Sequence, residues 1–378
     1  MRVFLQALIA QILLNPYIFW RGYQAIPPSK KWRVPYILLF ILEWHLYFTG
    51  FFFHGSLPNG LLTSLLLICN TWYVASIYLT MGLLLLELVR LAVRRWHRCP
   101  ETIRRHWPEM KLALFFIFLA AVAGLMVKAH YNVAHPVVKH VHLHIPKVVA
   151  GRDSLTIAML SDLHFGETIG KDYARRYVAL CNGQHPDIIV LTGDIIDHES
   201  LIAEREHIED DLRQLHAPLG TYLILGNHEY RANRHAKLRW LKKTGGVLLV
   251  DSVAMPDSTF YLIGRDDAIN PHRATLRTLM EKTDPAKPVI VLDHQPEAFN
   301  ETRMNHPDLT LHGHTHNGQL WPYSLLLKLV FECPYGYYRT GNTQFYISSG
   351  IGCAGPPYRV GTCSELVMLH ITFDKKQL

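Results

Sequence analysis

The sequence predicts a helical, membrane-embedded domain followed by an α/β domain. Three observations carry this expectation. Long uncharged apolar runs are confined to the first third of the chain. From residue 150 onward, short apolar runs alternate with amphipathic stretches. Five of those short runs lead directly into Asp, Asn or His. The first pattern is that of helices in lipid, the second that of strands and helices packed in layers. The third falls where open α/β sheets build their sites, at the carboxyl ends of strands.

Composition narrows the class. The 378 residues suggest two to three domains. Only 18% are charged and 49% are apolar, against about 25% charged in an average soluble protein, which argues against a disordered or fully soluble chain. The net charge of +7 belongs to residues 1–135, which hold 13 Lys and Arg against 4 Asp and Glu. A nucleic-acid binder carries its basic excess on its folded binding face, so no nucleic-acid partner is expected. Six cysteines without a CxxC pair indicate neither a zinc ribbon nor a disulfide scaffold.

Residues 1–134 are expected to form the membrane domain. A bilayer core needs about 20 apolar residues per helical span, and spans are expected near 3–20, 34–53, 61–86 and 110–128. Gly55, Pro58 and Gly60 read as a turn before the third. Lys111 and Lys128 flank the fourth, where their long stems reach the interfaces. No small-residue cleavage site follows the first run, which argues against a cleaved leader. Arg21, Lys30, Lys31 and Arg33 lie between the first two runs. Arg90, Arg94, Arg95, Arg98, Arg104, Arg105 and Lys111 lie between the last two. Both basic loops then face the cytoplasm, which places everything after Lys128 outside, periplasmic or extracellular. Losing the fourth span would return it to the cytoplasm. The expectation is a multi-pass protein of a bacterial cytoplasmic membrane. Glu43 and His45, costly in lipid, should face other helices through a hydrogen bond, or contact a headgroup or ion.

Residues 135–149, with His135, His140, His142 and His144, read as a linker and first strand; the three alternating histidines read as a solvated strand face. Residues 150–378 form the second domain. Strands are expected at 155–160, 188–192, 222–225, 260–263, 289–292, 309–311 and 345–347, with helices near 171–184, 199–215 and 232–243. The strand ends deliver Asp162 and His164, Asp194 and Asp197, Asn227 with His228 and Glu229, His294, and His314 with His316. Asp162, His164, Asp194, Asn227, His294, His314 and His316 are seven oxygen or nitrogen ligands. That exceeds one tetrahedral site and suits two divalent ions sharing a carboxylate, with Mn, Fe or Zn favoured by the absence of thiolates. Such a centre attracts phosphate and activates water.

The ordered set Asp162-x-His164, Gly193-Asp194-x-x-Asp197, Gly226-Asn227-His228-Glu229, His294 and Gly313-His314-x-His316 resembles the calcineurin-like metallophosphoesterase superfamily over about residues 150–372. The N-terminal spans and the Gly-His-Thr-His-x-Gly-Gln segment resemble its membrane-anchored branch. The resemblance implies a four-layer αββα sandwich after the helical bundle. It implies one metal on Asp162, His164 and His316, a second on Asn227, His294 and His314, and Asp194 bridging. It makes His228 the group beside the scissile phosphate. Asn317, where the branch usually has glycine, and Gly361–Glu365, where it usually has a proline-containing stretch, depart from the pattern without touching a ligand.

Other residues carry weaker expectations. Asp197, placed with His228 among the catalytic candidates, and Glu229 are expected to orient ligands. Arg265, Asp266 and Asp267 fall at the level of the pocket. Arg359 pairs with phosphate or forms a surface salt bridge. Cys353 and Cys363 could pair if the domain is outside, and Cys181 belongs to a core.

The expected reaction is metal-dependent hydrolysis of a phosphomonoester, phosphodiester or pyrophosphate. Four spans exceed what anchoring needs, which favours a lipid-linked phosphate as partner in the bilayer. The resemblance suggests UDP-2,3-diacylglucosamine, a cytoplasmic substrate; isoprenoid pyrophosphates suit an outward site. The alternatives are a phosphodiesterase for soluble substrates with the helices as anchor, and a membrane scaffold or transporter with a regulatory phosphoesterase-like domain.

Overall fold

In the computed structural model of the chain, residues 2–53, 59–95, 101 and 105–375 are described. They divide into two compact units, Met1–Ala129 and His130–Leu378. The turn expected at Gly55 and Pro58, and the basic residues Arg98 and Arg104, lie outside the described residues.

The first unit is helical: α1 (Arg2–Ala25), α2 (Lys30–Phe53), α3 (Asn59–Arg95) and most of α4 (Trp107–Ala134). Four crossing helices are the expectation, but among the described residues only two, within Gly60–Val93 and Glu109–Ala134, are long and apolar enough to cross a membrane. The shortfall has a compositional reason. Gln6, Gln11, Asn15 and Pro16 interrupt α1, and α2 opens on Lys30, Lys31 and Arg33 and contains Glu43 and His45. Gln11 and Asn15 are buried and Glu43 is half-buried, whereas Lys30 and Lys31 are exposed and so is His45, against the expectation that it faces other helices. Asn15 Nδ2 donates to Glu43 Oε2 at 2.7 Å, Trp72 Nε1 to Asn15 Oδ1 at 3.0 Å, and Gln11 Nε2 to Ser76 Oγ at 3.1 Å. Glu43 is thus held by an interhelical hydrogen bond, the first of its two expected roles.

The second unit contains two six-stranded sheets. Its strands are β1 (Val137–Val148), β2 (Ser154–Leu160), β3 (Ile188–Thr192), β4 (Thr221–Ile224), β5 (Val247–Leu248), β6 (Ser252–Ala254), β7 (Tyr261–Gly264), β8 (Val289–Leu292), β9 (Leu309–His312), β10 (Gly336–Thr340), β11 (Thr343–Ile347) and β12 (Glu365–Asp374). One sheet runs β1-β12-β2-β3-β4-β5 and the other β10-β11-β9-β8-β7-β6. Both are mixed: β2, β3, β4 and β5 are parallel, as are β7, β8, β9 and β11, while β12 opposes β2 and β10 opposes β11.

Burial explains the layering. The inward residues Leu155, Ile157, Val190, Leu369, Leu262, Ile290 and Leu309 form one core between the sheets. Helices α5 (Lys171–Asn182), α7 (Ile208–Leu212) and α8 (Arg234–Leu241) bury Tyr177, Cys181, Leu212 and Trp240 on the outer face of the first sheet. On the outer face of the second, α9 (Leu276–Met280) packs on Ile263 and Val291, and α10 (Phe299–Asn305) places Phe299 on Phe345. The expected αββα order is therefore built from three apolar layers, with strands buried on both faces reading as near-continuous apolar runs.

The helix expected over 199–215 is two short ones, α6 (Leu201–Arg205) and α7, separated where His207 takes a left-handed φ of 53°. Strand β12, which joins β1 to β2 in the first sheet, falls outside the seven expected runs. Cys353, buried, and Cys363, exposed, are both free thiols, so no bridge joins them.

Candidate metal centre

The loops after β2, β3, β4, β8 and β9 bring the seven candidate ligands together. The first two loops are laced by backbone bonds, Asp162 N to Gly193 O at 3.1 Å and His164 N to Asp194 O at 3.0 Å. Glu229 secures the same turn from below. Its carboxylate accepts the N–H groups of Asp194, Ile195, Ile196 and Gly226 at 2.7–3.0 Å. Any side chain at Gly226 would collide with Asp194 Oδ1, and at Gly193, whose φ is +89°, one would collide with the His294 ring. Five candidate ligands, Asp162, His164, Asp194, His314 and His316, themselves hold left-handed φ values of 50–73°. Non-glycine residues there are strained by about 1–3 kcal/mol each, and such strain clusters at functional sites. The chain spends it aiming side chains inward.

The side chains fall into overlapping groups whose ligand atoms lie within 4.8 Å of one another: Asp162, His164 and His316; Asp194, His294 and His314; and His164, Asp194 and His228. Asp194 Oδ2 is 3.2 Å from His294 Nε2 and 3.8 Å from His164 Nε2. His164 Nε2 and His316 Nε2 face each other at 3.0 Å, and His314 Nδ1 is 2.8 Å from Asn227 Oδ1. Ligands about 2.1 Å from a shared ion stand about 3.0–3.4 Å apart, so these spacings fit divalent cations. One buried atom makes the same point: His294 Nε2 has the Asp194 carboxylate 3.2 Å away and no other hydrogen-bond partner among the described residues. Its other nitrogen lies 2.7 Å from Thr192 O, which turns Nε2 toward the cluster.

Asp197 stands behind the cluster. His164 Nδ1 lies 3.2 Å from its Oδ1, and His228 Nδ1 lies 3.0 Å from the same oxygen and 2.7 Å from its carbonyl. Burial alone would raise Asp197, but hydrogen bonds from His164 and His228 outweigh it and hold the carboxyl well below its ordinary value. Burial likewise works against the charged form of His228, and the Asp194 charge and Asp197 hydrogen bond overcome it, so its pKa is raised. His314 goes the other way, pushed down to about 4 by burial and then by the His294 charge. A neutral imidazole is the form that accepts a cation.

The other expected residues sort differently. Arg265 is an internal brace, ion-paired with Asp293 at 3.0 Å and Glu301 at 2.9 Å. Asp266 accepts from Tyr230 Oη and Asn270 Nδ2, while Asp267 is buried beside Gln295. Arg359 has neither expected role: it is fully buried, and its guanidinium donates to the carbonyls of His316, Ser349 and Gly352. A charge answered by carbonyl dipoles ties the His316 loop down without a carboxylate. His140, His142 and His144 form an exposed strand face as expected, with His140 2.9 Å from His370 across the ladder. Sequence reasoning missed Lys237, fully buried on α8, whose Nζ donates to His228 O at 2.6 Å. Only an unbalanced lysine on the apolar side of a helix signals it. Ser161, beside the first ligand, donates to Asp162 Oδ2 at 2.6 Å and escaped notice as well.

The calcineurin-like phosphoesterase profile matches residues 155–318. A transmembrane protein with metallophosphoesterase domain from Danio rerio is 28% identical, over 96% of this chain and 87% of its own. An uncharacterized metallophosphoesterase of Campylobacter jejuni is 30% identical, over 69% of this chain and 71% of its own. Among solved structures, a dimetal phosphatase from Danio rerio is similar over 53% of this chain and 88% of that chain, at 14% identity and a TM-score of 0.37.

Proposed function

The chain belongs to the calcineurin-like metallophosphoesterase family and is a metal-dependent phosphoester hydrolase; on that premise we propose that it cleaves a phosphoester or pyrophosphate carried by a membrane lipid, at a centre of two divalent ions. Asp162, His164 and His316 would hold one ion, Asn227, His294 and His314 the other, with Asp194 shared; Mn, Fe or Zn suits this all-oxygen-and-nitrogen set. When bound, the ions supply Lewis-acid polarisation of phosphoryl oxygens and a lowered water pKa. The observation that carries the reading is the overlap of three groups (Asp162, His164 and His316; His164, Asp194 and His228; Asp194, His294 and His314), with Asn227 against His314.

The remaining work falls to the chain's own residues. His228 Nδ1 is held by the Asp197 oxygens and Nε2 is met by the Arg231 guanidinium; on this reading substrate displaces Arg231 from Nε2, which then donates a proton to the leaving oxygen. Asp197 positions His228 and His164 together. Glu229 holds the Asp194 turn, and Lys237 holds the His228 carbonyl.

The lipid part of the reading rests on the first unit. All four helices are proposed to cross, with Gln11 and Asn15 of α1 hydrogen-bonded to α3 and Glu43 of α2 hydrogen-bonded to α1. The basic loops put the catalytic unit on the outer face of a bacterial cytoplasmic membrane. An outward site suits isoprenoid pyrophosphates; UDP-2,3-diacylglucosamine would require the opposite side. The test is phosphate release by full-length protein in detergent, stripped of metal and reloaded with Mn, Zn or Fe. Metal-dependent turnover favouring lipid pyrophosphates over a nitrophenyl phosphodiester supports the proposal. Turnover of the soluble ester alone reduces the helices to an anchor, and no turnover with any metal moves weight to a scaffold.

A further inference from the structure

Directly after the His314–His316 turn, the catalytic unit carries a helix that is apolar on the wrong side. In α11 (Tyr323–Val330, sequence YSLLLKLV) Leu327 alone is buried. Leu329 is 82% exposed and Val330 76%, and Tyr323, Leu325, Leu326 and the preceding Trp321 are each about half exposed. At roughly 100° per residue, Leu325, Leu329, Leu326, Val330 and Tyr323 sweep an outward arc of about 160°. The same unit shows the ordinary arrangement in α5, which buries Ala174, Tyr177, Val178 and Cys181 and turns Arg175 to solvent. Contiguous exposed apolar surface of this kind marks a place where something other than water covers the protein.

The helix adjoins the metal centre. A side chain at Gly318 would collide with the backbone of Ser324, so α11 packs directly on the ligand-bearing turn. Phe331, just past the helix, sets its ring edge against His314 at 6.4 Å, and Thr315 Oγ1 donates to Pro334 O at 2.6 Å. A groove of about 280 Å³ runs between Pro296 and Glu297, which follow the candidate ligand His294, and Val330 and Phe331 at the end of α11.

We propose that α11 with Trp321 is an interfacial anchor that lies in the surface of the bilayer and presents the mouth of the metal centre to phosphates at headgroup level. Two observations commit the occupant to lipid. The apolar arc ends in Trp321 and Tyr323 and is edged by Lys328, the mixture that suits the boundary between acyl chains and headgroups. The unit also follows a membrane-length helix almost without a linker, since α4 ends at Ala134 and β1 begins at Val137. Chain length therefore keeps the unit at a membrane surface. This deepens, and rests on, the lipid-substrate reading given above.

The test uses the full chain in lipid nanodiscs, with Cys363→Ser and Cys99→Ser as background. A fluorophore at L329C should be quenched at least about twofold by lipids carrying a nitroxide near the headgroup, while one at R277C, on a side chain 81% exposed, should not respond. Equal response at both positions overturns the anchor, and shielding at 329 without nitroxide quenching overturns it in favour of a protein partner. The double variant L326E/L329E should lose about tenfold or more in kcat/KM on an isoprenyl diphosphate in the nanodisc and stay within about twofold on bis(p-nitrophenyl) phosphate. Equal loss on both probes argues for structural damage and against the anchor. Quenching at L329C together with wild-type protein that cleaves only the soluble ester refutes the lipid substrate and leaves the anchor standing.

Discussion

The two units solve opposite problems with the same alphabet. In the helical unit the buried polar residues are Gln11, Asn15, Asn70 and Ser76, while Leu13, Ile117 and Val127 are 65–73% exposed. In the α/β unit the central strands are mostly apolar and buried, and buried polar groups are held by partners, as Glu229 is by backbone N–H groups, Arg265 by Asp293 and Arg359 by carbonyls. The difference follows from the solvent each unit meets. In lipid, exposed leucine costs nothing and an unpaired amide is expensive, so hydrogen bonds move inside. In water, apolar burial drives folding and buried polar groups persist where other groups satisfy them.

That comparison is easiest to break at its most concentrated point. Asp194→Asn removes the carboxylate shared by two groups of candidate ligands. Metal content measured by mass spectrometry should fall together with turnover, by about 1,000-fold or more. Full turnover in this variant would dismiss the assigned centre. His228→Ala should separate the two quantities: metal is kept, and turnover falls about 10²–10⁴-fold. Loss of metal would instead make His228 a ligand.

A matched pair tests the solvent argument itself. Leu369 is fully buried between the sheets, and Leu369→Ala should cost about 2–5 kcal/mol in denaturant unfolding. Ile117 on α4 is 65% exposed, and Ile117→Arg would be almost silent on a water-facing helix. In a bilayer it should disfavour insertion by about 2.5–3.5 kcal/mol, read in a translocation assay. Unchanged insertion would mean that this surface does not face lipid.

The smallest effect is electrostatic. Burial alone would raise Asp257, but hydrogen bonds from Thr259 and the Arg152 guanidinium outweigh it and lower its pKa. Its folded value therefore lies below the unfolded value of about 3.9. The stabilisation is present above that value and is lost as pH falls through the folded one. Asp257→Asn should lower the melting temperature slightly at neutral pH, with the difference fading as pH falls through the folded value, so the acid limb of the profile flattens. A parallel shift at all pH values would show that the charge is not the cause.

Much of this was readable because the chemistry is local. Each ligand follows its strand within a few residues, so Asp162, His164, Asp194, Asn227, His294, His314 and His316 announce themselves as strand-end patterns. The less legible residues act at long sequence separation. Arg359 looks like a loop cation able to meet phosphate until the fold surrounds it with the carbonyls of residues 316, 349 and 352. Lys237 looks like one more basic residue on α8, and Arg265 like a pocket residue rather than the partner of Asp293 and Glu301. β12 has no ligand at its end to mark it, and its place between β1 and β2 is a pairing across more than 200 residues.

Taken alone, the amino-acid order determined the apolar N-terminal third, the alternation of strands and helices, and the identity of the ligands, because hydrophobic period and side-chain chemistry are properties of neighbours along the chain. The tertiary structure decided which charges were buried, which imidazole nitrogen each carbonyl or carboxylate turned outward, and which helix was left with its apolar arc uncovered. Those outcomes depend on what lies across the fold, and the distance between the His316 carbonyl and Arg359, or between Gly318 and Ser324, exists only once the layers have packed.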